Sequence, residues 1–347
     1  MKPTRLRRSS PPTLTAAIQR YLDEVSPTKK GGVAEQSIAR TWLATRIASR
    51  PIDRIRNTDL IAIRDEWAPR YAASTIVRRL AFLSHLYTVA RKDWGWTDLA
   101  NPVQLVRRPT VNDARERRIL THIRLRGVPE SECPRSELEW IIQSTRSTEL
   151  PVIATLAVET TMRRSEICGI RRERVDLRHG VIHLPDTKNG TSRNVPLTPW
   201  AREVLRRYLT GRPSRGPIFS MTPGAATRAF IRARRGARRR YEALCAKYGR
   251  RPNPAFFDNL RFHDLRHEAT STLAPIFEIH ELAKISGHQT TRMLLRYYHP
   301  DGRELATKLA RSSLGRRQAA RIRDSRPPLD HLVVTQTSHP SHQDSSS

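Results

Sequence analysis

Four short stretches of this chain carry side chains able to transfer a phosphate. The first reads His263-Asp264-Leu265-Arg266-His267, the second Ser286-Gly287-His288, and the third Arg296-Tyr297-Tyr298-His299-Pro300. Histidines, arginines and a tyrosine pair on a very basic chain point to attack on a phosphodiester by a phenol. Such a transfer needs a nucleophile, cations for the two non-bridging oxygens, and a proton donor for the departing oxygen. A protonated tyrosine is a poor nucleophile, with a reference pKa near about 10. Neighbouring arginines ease this by stabilising phenolate and transition state together. Arg266 lies three residues beyond His263, so on a helix both project from one face. The fourth stretch, Thr160-Thr161-Met162-Arg163-Arg164-Ser165-Glu166, follows an apolar helical run and offers further arginines. Lys188 stands at a hairpin, in Asp186-Thr187-Lys188-Asn189-Gly190, where a long ammonium arm can reach a neighbouring groove and give a proton.

Each of these residues also has a plainer reading. His263 and His267 are four apart, like the ligands on a zinc-protease helix, but that motif needs a glutamate after the first histidine, where this chain has Asp264. Arg266 between them repels a cation, so no metal is expected. Arg163 beside Arg164 can be a solvated helix end, Lys188 an ordinary surface lysine, and His288 a helix cap. Adjacent side chains on a helix differ by about 100°, so only one of Tyr297 and Tyr298 can face Arg266. Met162, Ile167 and Ile170 read as core; Trp94 and Trp96 read as core or as stacking surfaces for DNA sugars.

The charge balance narrows the partner. The chain holds 63 Lys and Arg against 33 Asp and Glu, a formal +30. So large a cationic excess points to a polyanion, and nucleic acid is the commonest one. Most of it is arginine, whose planar fork grips phosphate with two parallel hydrogen bonds. The three cysteines, Cys133, Cys168 and Cys245, lack metal-ligand spacing and fit a reducing cytosol. No apolar run has the length of a membrane span, and the basic Met1–Ser10 segment is not followed by an apolar core, which argues against a secretory signal. A cytoplasmic, nucleoid-associated protein is expected.

The elements that must position these residues follow from periodicity. Residues 1–12 read as a disordered basic arm, and 13–107 as four amphipathic helices. Leu14, Ala17, Ile18 and Tyr21 face inward on the first, Ile38, Trp42 and Ile47 on the second. Asn57-Thr58-Asp59 caps the third, and the fourth carries Leu80, Leu83 and Leu86 with Arg78 and Arg79 between. One basic face on such a bundle suits phosphate contacts along duplex DNA; a protein-binding bundle is the plainer alternative. The charged, Pro-punctuated stretch 108–134 reads as a linker. In 135–315, β-prone runs at Val175–Leu177, Val181–Leu184 and Asn194–Leu197 interrupt helical patterns, with a hairpin signal at Asn189-Gly190. An arginine-dense helix follows, in which Arg232, Arg235 and Arg239 are candidate DNA contacts. Residues 316–347 read as a mostly disordered tail.

With these stretches together, the chain resembles a tyrosine recombinase of the phage integrase family. Residues 161–166 are similar to the family's first arginine box, His263 to Arg266 to its His-x-x-Arg box, Gly287-His288 to its Gly-His motif, and Tyr297-Tyr298-His299 to its Tyr-x-His motif. Any one match is weak, but four in the family's order are specific. The resemblance covers roughly residues 13–312. It implies a mainly α fold with a small antiparallel β-sheet, in two domains: a helical core-binding domain and a mixed α/β catalytic domain. It implies that Arg163 and Arg266 clamp the scissile phosphate, that His263 and His288 bind it or assist proton transfer, and that Lys188 protonates the departing 5′-oxygen. Tyr297 becomes the 3′-phosphotyrosyl nucleophile, and Glu166 supports Arg163 from behind. No cofactor and no metal are implied, in agreement with the lack of a glycine-rich phosphate loop or acidic cluster. The implied partners are double-stranded DNA with inverted half-sites, a homotetramer of this chain in the synapse, and accessory DNA-bending proteins.

Three departures from the family stand out. Thr161 replaces a common glycine, so the local turn is expected to differ. Residues 232–259 look longer than usual, as an extra DNA-contacting or subunit-contacting element would. No arm-binding domain is expected before Thr13, which brings the chain nearer to the shufflon-type invertases. A non-cleaving DNA-binding protein with the same fold and a type IB topoisomerase remain as alternatives.

Overall fold

The computed structural model describes residues 11–29, 31–112, 115, 117–121, 123–185, 192–298 and 302–324, and the chain divides into two compact units between Arg115 and Glu116. The first unit contains four helices, α1 (Leu14–Glu24), α2 (Gly32–Leu43), α3 (Asn57–Trp67) and α4 (Ala73–Lys92). Thr13, in extended backbone, starts α1 by accepting the Ala16 N–H on its hydroxyl. The periodic face Leu14, Ala17, Ile18 and Tyr21 is buried. At α3, Arg56 is the cap residue, and Asp59 reaches back to its N–H at 2.9 Å. Trp42 and Trp67 meet edge-on at 4.9 Å between ring centres in this core, and Trp94 and Trp96 pack at its margin.

The second unit begins earlier than the charge pattern implied. Ile119, Ile123 and Cys133 are buried in its core, so 117–134 is a strap built into the unit and not a spacer. Arg117 and Arg118 point at carboxylates that fasten it. The buried Glu137 accepts from Arg117 and from the Leu120 and Phe257 N–H groups. Glu268 accepts from Arg118 and from the Ile119 N–H.

Beyond the strap come α5 (Glu137–Gln143), α6 (Leu150–Glu159) and α7 (Arg164–Cys168), then strands β1 (Val175–Asp176), β2 (Val181–Leu184) and β3 (Arg193–Pro196). The three strands form one antiparallel sheet in chain order, with Ile182 opposite Val195 and Leu184 opposite Arg193. The hairpin tip at 186–191, with Asn189-Gly190, lies outside the described residues. Then follow α8 (Pro199–Leu209), α9 (Pro223–Lys247), α10 (Phe262–Leu273), α11 (Ile279–Ser286), α12 (Arg292–Leu295), α13 (Gly302–Arg311) and α14 (Ser313–Asp324). The helix α6 is apolar almost all round, as a helix packed against α8, α9 and α10 must be. Small residues Ala226, Ala229, Ala233 and Ala237 are buried along α9, which packs against α5, α6, α7 and α10. Residues 316–324, expected in a disordered tail, continue α14, and 325–347 lie outside the described residues. Among the described residues, no helix is long and apolar enough to cross a membrane, and no group of three or more His, Cys, Asp and Glu could hold a metal.

Candidate active site

The site is built on the C-terminal end of α11. The last carbonyls of a helix have no partner within it and carry the negative end of its dipole. Here three in succession hold three guanidinium groups from three other elements. Ile285 O accepts from Arg193 Nε at 2.9 Å, Ser286 O from Arg266 Nη2 at 2.9 Å, and Gly287 O from Arg163 Nη2 at 2.8 Å. Gly287 makes this possible by ending the helix in the left-handed region, φ 69°. A Cβ there would stand 2.9 Å from Arg193 Nη1 and 3.2 Å from Arg163 Nη1. The Gly-His motif is therefore a space requirement for two guanidiniums.

Glu166 binds two of those arginines from the other side. Its carboxylate accepts Arg193 Nη1 and Nη2 at 3.0 and 2.6 Å, Arg163 Nη1 at 2.9 Å and the Arg163 backbone N–H at 2.7 Å. Burial raises its pKa, but these guanidiniums and the N–H more than reverse that and hold it below the usual carboxylate range. Arg163, the cap residue of α7, remains half-buried. Arg266 on α10 is only 5 % exposed and also donates to Thr161 O. Burial first, and the nearby Arg163 charge second, bring the Arg266 pKa down to about 10, which leaves it a cation at neutral pH.

Three histidines line the same region. His288 Nδ1 is 2.6 Å from Ser286 Oγ, and its Nε2 is 3.4 Å from Arg266 Nη2. Burial, then Arg266 and Arg163, lower its pKa to about 4, so the ring is neutral at pH 7. His263 is exposed at the rim, edge-on to His267 at 4.9 Å, and its pKa falls below normal through lost hydration and the Arg266 charge. His267, which local sequence gave no role, touches Tyr297: its Nδ1 lies 2.5 Å from the phenol oxygen.

The two tyrosines lie just beyond α12, not on a helix as expected, and they turn to different partners. Tyr298 donates to Phe277 O at 2.8 Å and packs against the small cluster of Leu273, Leu282 and Leu294. Tyr297 turns toward α10. Burial raises its pKa, while the charges of Arg296, Arg266 and Arg118 pull the other way.

Lys188 lies outside the described residues. Arg78 is exposed on α4, but Arg79 is only 8 % exposed, its guanidinium 4.6 Å from the ring centre of Trp67 and 3.7 Å from that of Tyr71. The expectation that Arg79 presents its charge outward is thus corrected: two aromatic rings cover it. Arg232, Arg235 and Arg239 are exposed together on one face of α9, whereas Arg234 and Arg238 turn inward to the Leu260 and Asn253 carbonyls. Arg193 was missed in the sequence because nothing in a short polar strand marks a buried arginine. Thr161 has φ 55°, a left-handed backbone that glycine adopts without strain.

Fold and residue set together define a tyrosine recombinase. The pattern of the phage integrase family matches residues 135–304. The chain is 36 % identical over 321 residues to the shufflon-specific DNA recombinase of Escherichia coli, covering 89 % of this chain and 74 % of that protein. Its fold is similar to that of the Tn1549 transposon integrase solved with transposon right end DNA, with TM-score 0.59 and 18 % identity over 86 % of this chain and 99 % of that one. A lambda integrase tetramer bound to a Holliday junction has the same fold, with TM-score 0.59 and 18 % identity over 84 % of this chain and 79 % of that one. The chain belongs to the phage integrase family.

Proposed function

We propose that this protein cuts and rejoins double-stranded DNA at specific sites through a covalent 3′-phosphotyrosine on Tyr297. The observation that carries this is the meeting of Arg163 and Arg266 on the neighbouring carbonyls of Gly287 and Ser286, with Tyr297 held against the next helical position after Arg266. Two guanidiniums so placed can bind the two non-bridging oxygens of one phosphodiester and stabilise the charge that builds there during transfer. Glu166 and Arg193 are positioning residues: they keep the Arg163 fork from swinging away. Neutral His288 and His263 serve as hydrogen-bond partners of the phosphate, and Lys188 as the acid for the 5′-oxygen. The tyrosyl ester conserves the energy of the phosphodiester, so resealing needs no nucleotide cofactor.

The first unit acts as the core-binding domain, with exposed Arg78, Arg91 and Lys92 on α4 as phosphate contacts. The exposed arginine face of α9 does the same in the catalytic unit. Two protomers bind inverted half-sites and two such dimers synapse; the lambda integrase tetramer on its junction supports this assembly, and exposed Leu305 and Leu309 on α13 suit a contact with another copy. Bending proteins assist the synapse, and the three buried free cysteines fit a nucleoid-associated enzyme of a reducing cytoplasm.

A duplex nicked near the cleavage point tests the chemistry, because the released fragment diffuses away and traps the covalent complex. Wild type forms the adduct, Tyr297→Phe forms none, and Tyr298→Phe forms it undiminished. An adduct with Tyr297→Phe overturns the proposal.

A further inference from the structure

The geometry points to His267 as the group that holds the Tyr297 phenol and takes its proton when the tyrosine attacks DNA. This rests on the reading of Tyr297 as nucleophile and adds a residue to it. The two rings are tilted by 30° with centres 6.2 Å apart, and the Nδ1–Oη separation of 2.5 Å puts the two atoms within hydrogen-bond reach. His267 sits on α10 directly after Arg266, so the helix that brings one phosphate-binding guanidinium also brings the acceptor for the nucleophile's proton. Neither His263 nor His288 has a hydrogen bond to the phenol among the described contacts; His288 is engaged with Ser286 and Arg266 instead.

The protonation state suits an acceptor. His263, Asp264 and Arg266 on its own helix, Arg296 and Tyr297 beyond α12, and His288 beyond α11 are the titratable and charged groups around the ring. Burial first, then the His263 and Arg296 charges, lower its pKa to about 4. The imidazole is therefore neutral, and with its own proton on Nε2 it accepts the phenol O–H at Nδ1. A bound phosphodiester places negative charge beside the same arginines and offsets their effect, so His267 becomes a stronger base once substrate is present.

The step balances as follows. The Tyr297 Oη–P bond forms while its O–H bond breaks, and the proton passes to Nδ1. The P–O5′ bond breaks, and the leaving oxygen takes a proton from a separate donor. In resealing, the 5′-hydroxyl attacks phosphorus, and Nδ1–H returns its proton to the departing tyrosine oxygen.

Single-turnover adduct formation on the nicked duplex, from pH 6 to pH 9, tests this with two variants of the full chain. His267→Ala removes the acceptor. His267→Asn keeps an oxygen near the Nδ1 position, so it can hold the phenol but cannot take its proton. Both are expected to slow adduct formation by roughly 10²- to 10⁴-fold at pH 7, the usual worth of general-base catalysis. Both should also gain about a tenfold rise in rate per pH unit, because solvent must then supply the phenolate. Replacing the scissile 5′-oxygen by sulfur, which needs no leaving-group acid, should rescue neither. A wild-type rate in His267→Asn, a slowed rate with an unchanged pH profile, or rescue by sulfur overturns the inference. If wild type itself forms no adduct, the reading of Tyr297 as nucleophile fails instead.

Discussion

Thr161 holds a left-handed backbone, φ 55°, at the point where its carbonyl must meet Arg266. For a β-branched residue this conformation costs about 1–2 kcal/mol, and the Thr161 hydroxyl is buried without a hydrogen-bond partner among the described residues. Thr161→Gly is therefore expected to raise unfolding free energy by about 1 kcal/mol, the strain relieved exceeding the entropy that glycine loses, and to leave adduct formation intact. Urea denaturation checks it, and a clear loss of stability would show that the side chain contributes more than its strain. At this scale the sequence singled out residues that the fold brings together: Arg163, Arg266 and His288 meet at the end of α11, and Tyr297 touches the residue after Arg266. Arg193 and His267 were not legible, because their roles come from partners distant in sequence, Glu166 and Tyr297. Arg79 misled for the same reason, since its alternation with apolar residues does not reveal that Trp67 and Tyr71 close over it.

Helix α11 works as a frame, and its final turn is where sequence and site meet. Gly287→Ala would put a side chain at φ 69° and within 2.9 Å of Arg193 Nη1, costing about 1–2 kcal/mol in backbone strain alone. Because the displaced groups are Arg163, the proposed phosphate ligand, and Arg193, which positions it, adduct formation should fall at least tenfold while binding to duplex DNA, measured by gel shift, changes little. Normal cleavage by Gly287→Ala would mean that the arginines do not depend on this turn. Periodicity exposed the long elements, as in the inner face of α1, where spacing alone determines which side is buried. It failed on the strap at 117–134, which has no regular repeat because each residue meets a different element: Glu137, Glu268 and the core in turn. An extended segment fixed by tertiary contacts looks like a linker until those contacts are seen.

In the molecule as a whole, a formal charge of +30 is attached to a site whose histidines are neutral. His267 and His288 titrate near 4 in the folded protein against about 6.5 when unfolded. As pH falls below about 6.5 the unfolded chain takes up protons that the folded chain refuses, so their stabilising contribution is complete above that value and is lost toward pH 4. Denaturation midpoints should thus decline from pH 7 to pH 5, and less steeply in His288→Gln; a midpoint that stays flat would contradict the depressed values. The chemistry proposed for this molecule joins one phenol, Tyr297, to DNA beside two guanidiniums gathered on one helix end. Its most direct test is to digest the trapped covalent complex and locate the nucleotide-bearing residue by mass spectrometry. The nucleotide is expected on Tyr297 and nowhere else; its discovery on Tyr298, or on any other side chain, would overturn the role given to Tyr297.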